Sequence, residues 1–168
     1  MTSPRFAIVM GSTSDLEVME QAAKVLRDLE VGFEIGVYSA HRTPERSARF
    51  ASEAASRGIQ VIIAGAGASA HLAGALAART HLPIIGVPLA ATALQGFDAL
   101  LSTVQMPAGF PVATMAVGAP GAANAAFLAA QILAIHDKAL GERITAWRQG
   151  KASAVEKASE EVSQTRGS

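Results

Sequence analysis

The sequence of 168 residues contains no cysteine. This absence excludes a disulfide framework, a thiolate nucleophile and a zinc site built on cysteine ligands. Charged residues make up only 17% of the chain, against about 25% in an average globular protein. Fourteen basic residues balance fourteen acidic ones. We therefore predict no nucleic-acid partner, because a nucleic-acid-binding domain carries an excess of basic charge.

Charge is almost missing from one long stretch of the chain. Between Gly58 and Ile135 the only charged residues are Arg79 and Asp98. A domain of this size has too much surface to cover with so few charges. The stretch therefore predicts contact either with other subunits or with a membrane.

Long uninterrupted hydrophobic runs are also absent. The longest uncharged run, residues 99–136, is broken by three prolines and three glycines, whereas a membrane-spanning helix needs about 20 continuous apolar residues. The first residues lack the charged start and the apolar core of a signal peptide. We therefore expect no membrane partner, a cytoplasmic location and a homo-oligomer. One domain over residues 1–150, followed by a polar tail over residues 151–168, accounts for the length.

Short apolar runs alternate with segments of helical spacing. Strands are predicted at residues 6–10, 33–38, 60–64, 83–87 and 111–117. Helices are predicted between them and after the last strand, including one at residues 97–104 and a final one at residues 142–148. This alternation predicts an α/β fold with a doubly wound parallel sheet.

Polar residues and glycines predict where some helices begin and end. Ser14 and Glu17 form a Ser-x-x-Glu capping box for the first helix, and Gly32 predicts its end. Thr43 is predicted to cap the second helix, and Pro44 to occupy its first position.

The loop after the first predicted strand is a candidate binding site, because ligands of open α/β sheets bind beyond the carboxyl ends of the strands. Residues 11–15 offer hydroxyls and free amides at a helix N-terminus, which suits an anion. Helix capping by Ser14 alone is the alternative explanation. The loop lacks the Gly-Lys-Ser/Thr end of a Walker A motif.

The loop after the second strand contains His41 and Arg42. A guanidinium can hold a phosphate through two hydrogen bonds, and histidine suits proton transfer near neutral pH. A loop histidine bonded to the backbone is the alternative for His41.

The loop after the third strand, residues 65–70, matches Gly-x-Gly-x-x-Ala, a pattern of dinucleotide sites. The motif follows the third strand rather than the first, and no acidic residue for a ribose lies near residues 85–91. We therefore favour a glycine-rich wall against a small planar ligand. His71 is either a ligand contact or a buried histidine. Gly118 and Gly121 follow the fifth strand and are expected at the same rim.

Metal binding is not predicted. The four histidines lie on separate predicted elements, and none forms a His-x-x-x-His or His-Glu-x-x-His motif.

Four motifs together resemble one enzyme family. They are residues 9–15 (VMGSTSD), 39–44 (SAHRTP), 61–67 (VIIAGAG) with 70–72 (AHL), and 104–107 (VQMP). The residues of these motifs and the order of the motifs along the chain resemble those of N5-carboxyaminoimidazole ribonucleotide mutases of purine biosynthesis. The similarity extends over residues 6–148.

The resemblance implies a flavodoxin-like three-layer αβα sandwich with a parallel sheet and C-terminal helices. It also implies an octamer with sites at subunit interfaces, and neither a metal nor an organic cofactor. The implied reaction is an isomerisation. A carboxylate moves from the exocyclic nitrogen of the ribonucleotide substrate to C4, giving 4-carboxy-5-aminoimidazole ribonucleotide, and the carbon dioxide released on the way is recaptured inside the site.

The resemblance also implies roles for individual residues. His41 is expected to be the general acid-base. Arg42 is expected at the phosphate of the ribonucleotide and Asp15 at its ribose. The full set of predicted substrate-binding residues is Ser12, Ser14, Asp15, Ser39, Ala40, Arg42, Gly67, Ser69 and His71.

Two residues depart from the family pattern, and two other functions are alternatives. Ala73 stands where the family usually has proline, and Thr13 where it often has a charged residue. The first alternative is a direct carboxylase of the same fold, which lacks the Ala-His-Leu segment that this chain has at residues 70–72. The second is a non-catalytic nucleotide-binding module, which would leave His41 beside Arg42 without a role.

Overall fold

The computed structural model describes residues 3–166. Five strands follow one another as β1 (Phe6–Met10), β2 (Phe33–Val37), β3 (Val61–Gly67), β4 (Ile84–Leu89) and β5 (Ala113–Thr114). The α-helices are α1 (Leu16–Asp28), α2 (Pro44–Ala54), α3 (Leu72–Ala77), α4 (Phe97–Val104), α5 (Ala119–Ala134) and α6 (Lys138–Arg166). None of the helices in this part of the chain combines the length and the apolarity needed to cross a bilayer.

The five strands form one parallel sheet in the order β2-β1-β3-β4-β5. This is the flavodoxin-like order, with a switch point between β1 and β3 where the chain changes its direction of winding. Met10 at the end of β1 pairs with Val37 of β2 and with Gly65 of β3. The predicted α/β class and parallel sheet are confirmed.

The central strands are buried along their length, as their continuous apolar sequences require. Ala7 and Val9 of β1 belong to a core cluster with Phe50 of α2 and Leu76 of α3. Elsewhere, α1 packs against β1 and α4 against β4. Apolar strands covered in this way leave the carboxyl edge of the sheet as the place where polar loops can gather.

The start of α1 differs from the prediction. The capping box is formed by Ser12 and Asp15 around a short 3-10 turn, not by Ser14 and Glu17. The helix ends at Asp28 rather than at the predicted Gly32. Ser12 lies two residues after the end of β1, and its side chain accepts from the amide of Ser14, the residue that was predicted to cap.

Pro44 occupies the first position of α2, as predicted. Thr43 precedes it, but its side chain makes no capping bond to the helix. Its hydroxyl instead donates to the carbonyl of Ser39 at 3.1 Å and accepts from the amide of Ser39 at 3.3 Å. Thr43 therefore closes the β2–α2 loop rather than the helix.

Strand β3 extends through Gly67, three residues beyond the predicted end. Close packing explains the two glycines. A Cβ on Gly65 would lie 2.3 Å from Sδ of Met19, and a Cβ on Gly67 would lie 2.5 Å from Cβ of Ala91. These residues are glycines because neighbouring groups lie against an extended strand, not because the chain turns.

The C-terminal part of the chain is one continuous helix, α6, from Lys138 to Arg166. The predicted end at Arg148 and the polar tail from Gly150 were wrong as secondary structure, because the alanine-, glutamate- and lysine-rich sequence beyond Gly150 favours a helix. The described residues separate into two compact units, one up to Ala129 and one from Ala130 onward. A domain boundary at residue 150 stays a prediction.

Gly121 in α5 has no room for a side chain, since a Cβ there would lie 1.7 Å from the carbonyl oxygen of Ala116. Backbone cannot move aside as a flexible side chain can, so we expect Gly121→Ala to lower the free energy of unfolding by about 1–3 kcal/mol or more. Denaturant titration measures this change.

Gly150→Ala is the matched control, because Gly150 lies inside α6 with no neighbouring atom within 4 Å of its would-be Cβ. In a helix interior, alanine is more favourable than glycine by up to about 1 kcal/mol. A Gly121→Ala protein as stable as wild type would contradict the packing described for α5.

Candidate active site

A cavity of about 370 Å³ opens at the carboxyl edge of the sheet, beyond β1, β2 and β3. It is lined by every predicted site residue except His71, which contacts His41 instead. The lining also includes Leu72 and Ala91, which the sequence analysis missed. Ala91 follows β4, so reading the loop after that strand would have found it. Gly118 and Gly121 follow β5, as expected, but neither lines this cavity.

The β1 loop is a compact network of hydroxyls around one carboxylate. Asp15 is only 8% exposed, and its Oδ2 accepts from the amide of Ser12 at 3.0 Å. The Ser14 hydroxyl lies 3.0 Å from Oγ of Ser12 and 3.4 Å from Oδ1 of Asp15. The short 3-10 turn that places these groups also directs them at the cavity.

Burial raises the pKa of the Asp15 carboxyl above its ordinary value of 3.8. The Ser12 amide, the Ser14 hydroxyl and the positive charge of Arg42 act in the opposite direction, and burial outweighs them. The carboxylate thus lacks enough partners to balance its loss of water, and a ligand hydroxyl would supply one more donor.

Arg42 connects the first loop to the second. Its Nη2 donates to the carbonyl of Gly11 at 3.1 Å. The hydroxyl of Ser39 accepts from the Arg42 amide at 3.1 Å and lies 3.4 Å from its Nε. These bonds use part of the five-donor fork and leave the remaining N–H groups for an anion in the cavity.

His41, which lines the cavity, forms a pair with His71, which does not. Nε2 of His41 lies 3.0 Å from Nδ1 of His71, and the two rings stand at 83° with their centroids 5.1 Å apart. His71 is exposed and in contact with His41, so the buried alternative is wrong, and its contact with a ligand stays a prediction.

The third side of the cavity is a wall of small residues, including Ala66, Gly67, Ala68 and Ala91. Ala68 has a positive φ of 50°, and its carbonyl accepts from the amide of Ala70 at 2.9 Å. Side chains this small bring the backbone close to any ligand and offer no acid-base group. A flat ring is the kind of ligand that such a wall accommodates.

The metal-ligating side chains of residues 3–166 do not gather in groups of three or more. The cavity instead offers one cation for an anion, one buried carboxylate, several hydroxyls and the imidazole of His41. The imidazole of His71 is bonded to that of His41. This set can bind a phosphorylated ligand and move a proton.

Comparisons with known proteins identify the family. A family model described as AIR carboxylase matches residues 5–154. Relatives named N5-carboxyaminoimidazole ribonucleotide mutase include one from Escherichia coli K12, 54% identical over 90% of this chain and 89% of the relative. Another, from Pyrococcus abyssi, is 57% identical over 87% of this chain and 83% of the relative.

A comparison with solved structures gives a similar result. A crystal structure of Treponema denticola PurE superposes with a TM-score of 0.83 at 27% identity, covering 97% of this chain and 99% of that one. The match of the family model extends over most of the chain, and the named relatives share about half of its residues or more. The resemblance of the loop motifs is therefore confirmed, and the chain belongs to the AIR carboxylase family.

Proposed function

We propose that this protein is an N5-carboxyaminoimidazole ribonucleotide mutase of de novo purine biosynthesis. The observation that carries the proposal is the level of identity, 50–57% over 87–95% of the chain, to relatives that bear this name. The cavity supplies the groups that such an enzyme needs, namely a cation for the phosphate, a carboxylate for the ribose and an imidazole for the proton.

Residues of the three loops each bind a different part of the substrate. Arg42 binds the phosphate, with the hydroxyls of Ser12, Ser14 and Ser39 adding contacts. Asp15 accepts from a ribose hydroxyl, which gives its buried carboxylate the partner that it lacks. The aminoimidazole ring then lies near Ala40 and against Gly67 and Ser69, with His41 at the opposite side of the cavity mouth.

The reaction balances without any co-reactant, because substrate and product are isomers. The bond between the carbamate carbon and the exocyclic nitrogen breaks, releasing carbon dioxide, and His41 gives the nitrogen a proton. C4 then attacks the carbon dioxide, and His41 takes the proton that C4 loses. The wall of small residues keeps water out while the carbon dioxide is free, which limits its escape.

Incubation of the pure protein with the carbamate ribonucleotide, without ATP or added metal, tests the proposal. Formation of the C4-carboxylated product supports it. The family description also favours a second candidate, direct carboxylation of aminoimidazole ribonucleotide. Turnover of that compound with dissolved carbon dioxide, and none of the carbamate, would establish the second candidate and exclude the first.

We also propose that the chain assembles as a homo-octamer, as the resemblance implies. Support comes from large apolar side chains that the single chain leaves exposed in its charge-poor stretch, including Leu94 and Phe97 at 62% each and Phe110 at 45%. Surface of this kind marks contacts between proteins.

Light scattering on the purified protein checks the assembly. We expect a particle of eight times the chain mass of 17.2 kDa. A species of one chain mass at micromolar concentration would contradict any oligomer, and a dimer or tetramer would contradict the octamer.

Replacing Arg42 with alanine removes the fork that holds the phosphate. We expect a loss of about 2–4 kcal/mol in transition-state stabilisation, measured as the fall in kcat/KM. Arg42→Lys is the control, because it restores the charge but not the paired donors. We expect that variant to recover only part of the loss. Unchanged kinetics in the alanine variant would place the phosphate elsewhere.

Replacing His41 with asparagine keeps a polar group of similar size but removes the proton carrier. We expect substrate binding to persist while turnover falls by about a hundredfold or more, the scale of general acid-base catalysis. Affinity, melting temperature and turnover are measured together. Near-normal turnover would exclude His41 as the acid-base, and a large drop in melting temperature would point to a structural role.

The raised pKa of Asp15 predicts how stability depends on pH. Because the folded-state pKa lies above the ordinary value of 3.8, protonation favours the folded state. This contribution is fully present below the ordinary value and is lost as the pH rises through the raised one. At neutral pH the ionised carboxylate therefore destabilises the ligand-free fold.

We expect Asp15→Asn to melt at a higher temperature than wild type at neutral pH and to bind the ribonucleotide more weakly. The difference in melting temperature should shrink as the pH falls toward the ordinary carboxyl value. Melting curves of wild type and variant, recorded at the same pH values, measure this difference. Every other titrating group is the same in both proteins, so its effect on the melting temperature cancels. A variant less stable at neutral pH would contradict the assignment.

A further inference from the structure

The contact between His41 and His71 joins two groups that can each carry a proton. The 3.0 Å separation of Nε2 of His41 and Nδ1 of His71 is a hydrogen-bond distance. Among residues 3–166, this is the only side-chain hydrogen bond that either imidazole makes. The pairing occupies one ring nitrogen of His41 and leaves its Nδ1 for the substrate.

The backbone of His71 is held firmly for this contact. Its amide donates to the carbonyl of Ser69 at 2.7 Å, and its carbonyl accepts from the amide of Ala75 at 2.9 Å in the first turn of α3. Its neighbours Ala70 and Leu72 are 1% and 2% exposed. The imidazole therefore stands on a fixed point of the fold and faces His41 from the opposite loop.

An imidazole differs from the usual partner of a catalytic histidine. A carboxylate or a carbonyl only accepts, so it fixes the neighbouring N–H in one place. A second imidazole both donates and accepts, so the shared proton can belong to either ring. When the pair holds one proton more than two neutral rings, its charge can be divided between them.

We propose that the His41–His71 pair, rather than His41 alone, is the unit that holds and returns the migrating proton. This inference rests on the proposed mutase activity. The charged pair gives the proton on Nδ1 of His41 to the exocyclic nitrogen as the carbamate bond breaks, and two neutral rings remain. The pair regains its charge when Nδ1 takes the proton from C4. His71 touches no reacting atom, so it is a positioning residue that acts through His41.

The other ionisable side chains that line the cavity already have hydrogen-bond partners. The other ionisable groups that line the cavity are Asp15 of the β1 loop and Arg42 of the β2 loop. Asp15 accepts from Ser12 and Ser14, and Arg42 donates to Gly11 and Ser39. The β3–α3 segment contributes no ionisable side chain to the cavity lining.

The test compares two substitutions of His71. In His71→Asn the amide group occupies roughly the place of Nδ1, so it can bond to His41 but cannot take a proton. In His71→Ala the partner is removed altogether. His81→Asn is the control, since His81 is exposed and lies outside the cavity lining.

We expect both His71 variants to lose about tenfold or more in kcat with little change in KM, as part of the general acid-base effect. The acid side of the pH–rate profile should also move, because the variants leave His41 without a second imidazole to share its proton. The control should match wild type. A His71→Asn enzyme with wild-type kcat and an unmoved pH profile would overturn the proposal and leave His71 as a hydrogen-bonding support.

A second measurement does not depend on turnover. In protein labelled with carbon-13 at the histidine rings, the signals of His41 and His71 should each follow both steps of one coupled titration in wild type. The His41 signal of His71→Asn should show a single step. Independent single-step titrations in wild type would overturn the pair. Coupled titration in a wild-type protein that does not convert the carbamate would instead refute the proposed function alone.

Discussion

The parallel pairing of β1 with both β2 and β3 is the constraint on which the site depends. Met10 pairs with Val37 on one side and with Gly65 on the other. The loops that follow these three strands therefore begin at nearly the same height along the sheet. Polar groups that lie far apart in sequence therefore meet at one edge. The Arg42 bond to the carbonyl of Gly11 then ties two of these loops together.

The site lowers the folding stability of the ligand-free protein. A buried carboxylate with a raised pKa opposes folding at neutral pH, and in the proposed mutase it receives a hydroxyl of the ligand. The glycines of β3 are constrained in the same region by Met19 and Ala91, which leave no space for a Cβ. The resulting wall is smooth, which suits the proposed reaction, in which carbon dioxide must stay close to C4.

Sequence patterns predicted the order and type of the elements and the loops that form the site. They failed where the outcome depends on contacts between distant residues. The glycines at 65 and 67 suggested a loop, but they lie in a strand because of packing against Met19 and Ala91. The bond between His41 and His71 joins residues thirty positions apart, and no local pattern indicates it. The helical propensity beyond Gly150 was visible in the sequence and was underrated because the segment is polar.

The central claim is that carbon dioxide is released and recaptured within one site. The most direct measurement starts from substrate labelled with carbon-13 in the carbamate carboxylate and follows its conversion in excess unlabelled carbon dioxide. The account predicts that the C4 carboxylate of the product retains the label, because the wall of small residues holds the gas until C4 attacks. A product whose label is diluted to the level of the dissolved pool would contradict it.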